Sequence, residues 1–136
     1  MRLFLCPNDE TAEQAEIAVR TVSILEEICG HECALTEQNS GRLFGDGRAV
    51  KFEPEEADLI LSLGGDGSVL RAAKLALRIG KPLLGINSGR LGYLCAVSFN
   101  ELEDKARAID NAKIRLAANA KLEDVMRLLI MTLKEI

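Results

Sequence analysis

The sequence predicts an α/β fold in which parallel strands alternate with helices, and three observations carry that prediction. Short apolar runs with strand character at residues 2–6, 58–63 and 82–86 are separated by segments with a three- and four-residue apolar period. Glycine-bearing turns stand where strands give way to helices, at 64–67 and again at 87–93. The chain has 136 residues, enough for one core and not for two. Strands that alternate with helices imply parallel pairing and right-handed crossovers.

The elements follow in order. Arg2 to Cys6 reads as a first strand closed by Pro7-Asn8-Asp9, a turn-forming triplet. From Thr11 the residues Ala15, Ala18, Val22, Leu25 and Cys29 recur at helical spacing, Thr11 and Gln14 suit a capping box, and Gly30 suits the end of the helix. Residues 32–36 read as a second strand, and 37–48 as a loop, within which Gly45-Asp46-Gly47 is a plain turn. Asp58 to Leu63 is a compact apolar strand. A helix begins at Ser68, with Val69, Leu70, Ala73, Ala76 and Leu77 on one face, and closes at Gly80. Pro82 to Ile86 is a further strand, and 100–110 is helical in pattern. At the end, 122–136 fits a helix by period and a buried strand by composition.

Composition excludes several classes. With 48% hydrophobic and 28% charged residues and no apolar run near the ~20 residues of a membrane span, the chain reads as a globular protein. Its opening, MRLFLCPNDE, has one basic residue and a four-residue apolar run, too short for a signal peptide, so the cytoplasm is the expected location. Net charge is −4 and no five-residue window holds more than two basic residues, which argues against a nucleic-acid partner. Cys6, Cys29, Cys33 and Cys95 are expected as reduced thiols. The segment Cys29-Gly-His31-Glu-Cys33 has no common zinc spacing and no second ligand pair.

The chemistry concentrates at LSLGGDGSVLRAAK, residues 61–74. Gly64, Gly65 and Gly67 at a strand-to-helix turn can expose backbone N–H groups as an anion cradle, backed by the helix dipole of the segment that starts near Ser68. The dinucleotide fingerprint fails where Leu70 stands, and the Walker pattern is absent. Asp66 within such a cradle repels phosphate, so it makes sense either as a base or metal neighbour in phosphoryl transfer or as a cap on the following helix.

Two motifs in order, LGGDGSVLRAA (63–73) and GINSGRLGYL (85–94), closely resemble the two N-terminal signatures of the ATP- or polyphosphate-dependent NAD kinases. The GGDG turn alone is shared with 6-phosphofructokinases and lipid kinases; the second motif selects NAD kinase, with Tyr93 where the family usually has phenylalanine. The resemblance implies a Rossmann-like three-layer domain of the NAD kinase and 6-phosphofructokinase-like type over 1–121. It implies that Asp66 takes the proton from the adenosine 2′-hydroxyl of NAD, and that ATP or polyphosphate, with Mg²⁺, is the donor. Gly64, Gly65, Gly67, Ser68, Leu70, Arg71 and Tyr93 would contact nucleotide or phosphate, while Asn87, Gly89 and Gly92 would shape the second loop. The family continues into a β-rich domain that nothing here matches, so catalysis by this chain alone is not expected. By the same resemblance 124–133 is a strand leading toward that domain, and its apolar surface would favour homo-oligomers.

Overall fold

The computed structural model describes residues 1–45, 48, 51–89 and 94–116, with side chains described through Ala108. Five strands alternate with helices: β1 (Arg2–Pro7), α1 (Ala12–Ser23), β2 (Glu32–Ala34), α2 (Glu37–Phe44), β3 (Leu59–Gly64), α3 (Asp66–Ile79), β4 (Leu83–Asn87), β5 (Val97–Ser98) and α4 (Phe99–Leu116). All described pairings are parallel, in the order β2-β1-β3-β4-β5. The α/β expectation therefore holds.

Helices cover both faces of the sheet. Leu3, Leu5, Leu61, Leu63 and Ile86 point to the side of α1 and α4, where they meet Ala18, Val22, Leu102 and Ala106. Phe4 and Ile60 point the other way, to Ala72 and Ala76 of α3 and to Phe52. Every residue of β3 is buried, which explains why this central strand is apolar on both faces rather than alternating.

Local chemistry sets the helix ends. The Thr11 hydroxyl accepts from Gln14 N at 3.1 Å and starts α1, which continues as a π-helical turn over Ile24–Ile28 before Gly30, at φ 71°. Gly80, at φ 69°, closes α3 in the left-handed conformation.

Several expectations need correction. The expected loop at 37–48 contains α2. Its glycine and short polar residues disguise it, but Thr36 caps it by accepting from Asn39 N at 3.1 Å. Leu43 and Phe44 pack on the core, and Asn39 and Arg42 reach Asp9 at 3.1 and 3.4 Å. Because Thr36 serves as that cap, β2 stops at Ala34 instead of 36. Helix α3 begins two residues early, at Asp66, and buries Val69, Ala72 and Ala76; Leu70 and Leu77, placed on its core face by the sequence reading, are 59% and 83% exposed. Helix α4 extends beyond 100–110, and the two-residue β5 was not foreseen. Asp46, Gly47 and the 122–136 segment lie outside the described residues.

Candidate nucleotide-phosphate site

At the carboxyl end of β3 the chain turns through Gly64 and Gly65 into α3. This lies where the strand order reverses between β1 and β3, the place at which open α/β sheets bind ligands. Gly64 has φ 149°, and a Cβ there would collide with Ser68 Oγ and lie 3.0 Å from Asn8 Cβ, so only glycine fits. Gly65 occupies the cap position of α3 without any side-chain cap, and among the described residues a Cβ on it would meet no atom within 4 Å. One glycine is demanded by the fold; its neighbour is uncrowded by any described residue and lies beside the N-terminal N–H groups of a 14-residue helix.

Asp66 is the first residue of α3, and its Oδ1 accepts from Leu94 N at 3.0 Å. The cap position belongs to Gly65, so the reading of Asp66 as a simple helix cap gives way to a carboxylate bonded across to the second loop. Ser68 is buried, and Arg71 Nη2 donates to its Oγ at 3.3 Å. This folds the guanidinium back along the first turn, with Nη1 3.8 Å from where a Cβ on Gly67 would lie. Gly67 is exposed. Leu70 points outward from α3.

The second loop leaves β4 at Asn87, whose Oδ1 accepts from Gly89 N at 3.0 Å in a tight turn. Ser88 N donates to Gly64 O at 2.9 Å, and Ser88 Oγ donates to Gln14 Oε1 of α1. Gly92 and Tyr93 lie outside the described residues. Thus Asp66, Gly64, Gly65, Gly67, Ser68 and Arg71 come together with Asn87 and Gly89 at one end of the sheet. Sequence reasoning missed Ser88 and Gln14. The sequence offers Gln14 as a capping partner of Thr11, yet its side chain turns to Ser88 instead. Asn8, whose N–H donates to Leu63 O at 2.7 Å, was read only as part of a turn. Next to Leu94, burial and the Asp66 charge both push the Cys95 thiol pKa up.

A cavity of about 410 Å³ opens between α1, the second loop and the start of α4, lined among others by Glu13, Glu16, Arg20, Ser88, Gly89 and Glu103. Arg20 pairs with Glu103 and lies over the Phe99 ring at 5.2 Å. The Cys29–Cys33 segment is tied up elsewhere: both thiols are buried and His31 Nδ1 accepts from the Met1 amine at 3.0 Å.

Residues 5–114 match the sequence model of the ATP-NAD kinase N-terminal domain. The chain belongs to this family. Among its relatives, the NAD kinase of Acetivibrio thermocellus is 28% identical over 129 residues, which is 93% of this chain and 44% of that protein. The NAD kinase of Helicobacter acinonychis is 41% identical over 65% of this chain and 32% of its own length. That of Campylobacter lari is 53% identical over a 49-residue stretch, 36% of this chain and 18% of the relative. The chain thus spans less than half the length of these NAD kinases. A solved 2-deoxyribosyltransferase from Bacillus psychrosaccharolyticus superposes with a TM-score of 0.52 at 15% identity, over 76% of this chain and 89% of that one, a likeness of fold alone.

Proposed function

We propose that this NAD kinase domain binds the phosphates of ATP or polyphosphate on the 64–68 turn and serves phosphoryl transfer to the 2′-hydroxyl of the adenosine ribose of NAD, giving NADP. The observation that carries this reading is Asp66 on the first turn of α3, beside a glycine that no described residue crowds and bonded to Leu94 N at 3.0 Å. In the proposed step Asp66 accepts the hydroxyl proton, the ribose oxygen forms a bond to the terminal phosphorus, and the bond to the leaving phosphate oxygen breaks. The N–H groups of the turn hold phosphate oxygens, and Arg71 supplies positive charge one helical turn away.

Mg²⁺ fits this arrangement as a companion of the phosphates. Asp66 offers a single carboxylate, which suits a cation that keeps phosphate and water ligands rather than one held in a protein cage. Bound there, it would neutralise developing charge. A Rossmann-like three-layer classification, a cytoplasmic location and self-association through the apolar 124–133 run belong to the same proposal.

The test is NADP formation from NAD, Mg²⁺ and either ATP or polyphosphate by this chain, with Asp66→Asn beside it and NAD binding measured in parallel. Turnover that disappears in the variant establishes the transfer and the base. NAD binding without turnover makes the chain the binding half of the reaction. Neither binding nor turnover overturns the proposal.

A further inference from the structure

The side chain of Gln14 is not where its sequence context sends it. A capping box would direct it back to the Thr11 N–H, but only half of that box forms: Gln14 N donates to Thr11 Oγ1 at 3.1 Å, while the Gln14 side chain accepts from the Ser88 hydroxyl. Ser88 is 7% exposed, and its own N–H donates to Gly64 O at 2.9 Å. Three segments distant in sequence therefore meet in one line: the capped first turn of α1, the second loop and the glycine turn.

The peptide between Gly64 and Gly65 is trans, so its C=O and N–H point in opposite directions. Fixing Gly64 O on Ser88 N therefore aims the Gly65 N–H away from the second loop. Gly64 sits at φ 149°, where glycine is tolerated, and the Ser88 N–H, at the end of the β3–β4 ladder, fixes the orientation of its carbonyl. Gln14, in turn, holds Ser88 from the opposite side and lies 3.7 Å, by Nε2, from where a Cβ on Gly89 would be.

We propose that Gln14 is a positioning residue for the phosphate turn. It acts through Ser88 to fix the orientation of the Gly64–Gly65 peptide, and so sets affinity for polyanionic phosphate. This rests on the reading of the turn as a phosphate site.

The experiment is titration of tripolyphosphate into the full chain and four variants, Gly65→Ala, Gln14→Leu, Ser88→Ala and the Gln14→Leu/Ser88→Ala double, each with its melting temperature. Gly65→Ala places a methyl where no atom of the described residues lies within 4 Å, so it tests the site itself. Wild-type binding that falls in Gly65→Ala supports the site. Roughly tenfold weaker binding in Gln14→Leu, with an equal loss in Ser88→Ala and no further loss in the double variant, is the expected result. Ser88→Ala removes the same hydrogen bond from the other side, so the proposal stands or falls even where Gln14→Leu does not fold. No wild-type binding, or no effect of Gly65→Ala, overturns the phosphate site and this inference with it. Normal Gly65→Ala sensitivity with wild-type affinity in Ser88→Ala, or independent losses that multiply in the double, overturns the positioning role alone.

Discussion

The Leu94 N–H donates to Asp66 Oδ1 at 3.0 Å, which ties the far end of the second loop to the same turn that Ser88 grips at its near end. The proposed base is therefore held by backbone from a different element, and its orientation does not depend on its own helix alone.

Asp66→Asn keeps an oxygen acceptor for Leu94 while removing the basic carboxylate. Its urea midpoint is expected to stay close to wild type, because a hydrogen bond of about 1 kcal/mol is preserved. Any NADP formation is expected to fall by roughly 10²–10⁴-fold. Asp66→Ala loses both, and unfolding curves of the two variants side by side separate anchoring from chemistry.

The two adjacent glycines are expected to respond oppositely. Gly64→Ala puts a methyl against Ser68 Oγ and Asn8 Cβ at φ 149°, and the backbone strain alone costs about 1–3 kcal/mol. Gly65→Ala meets no atom of the described residues and is expected to cost about 1 kcal/mol or less, as a less favourable helix cap. Urea unfolding of both variants reads this contrast directly; equal destabilisation contradicts the geometry of the turn.

Acid sensitivity is expected in two windows. Burial, followed by the nearby amino terminus, lowers the His31 pKa from 6.5 to about 4. The unfolded chain then takes up a proton first, and stability declines as pH falls from 6.5 to about 4. For Glu26, burial opposes the charge, but hydrogen bonds from Arg48 at 2.8 and 2.9 Å and from Lys51 at 2.7 Å prevail and lower its pKa from 4.5 to about 2. Its stabilising contribution is complete above 4.5 and lost as pH falls through about 2. Urea midpoints against pH are expected to flatten in the upper window for His31→Gln and in the lower window for Glu26→Gln.

The thiols are expected to react slowly in the native chain. Burial pushes Cys6 up to about 11, and burial followed by the Glu26 charge pushes Cys33 up to about 12. Timed labelling with a thiol reagent at pH 8, compared with labelling in denaturant, is expected to show most of the reactivity only after unfolding.

Much of the fold was legible because periodicity and turn chemistry agreed: Thr11, Gly30 and Gly80 mark helix ends in the sequence and do so in the structure. What escaped depends on contacts that no local pattern encodes. Helix α2 owes its place to Thr36, to the docking of Leu43 and Phe44 and to contacts with Asp9, while Asn39, Ser40 and Gly41 in its middle are weak helix formers that hide it. The outward turn of Leu70 and Leu77 follows from Val69, Ala72 and Ala76 taking the sheet, which allows α3 to sit close because two of those residues are small. In the site, the glycines and Asp66 were visible as a motif. Ser88 and Gln14 were not, because a serine on a loop and a glutamine in a first helical turn gain meaning only when β4 and α1 bring them together.

The amide chemical-shift response of the chain to added MgATP reports directly on the turn. The largest shifts are expected at Gly65, Asp66 and Gly67, with smaller ones at Ser88 and Gly89. Shifts confined to the acidic cleft of Glu13, Glu16 and Glu103, or no shifts at all, would contradict the phosphate role of the turn.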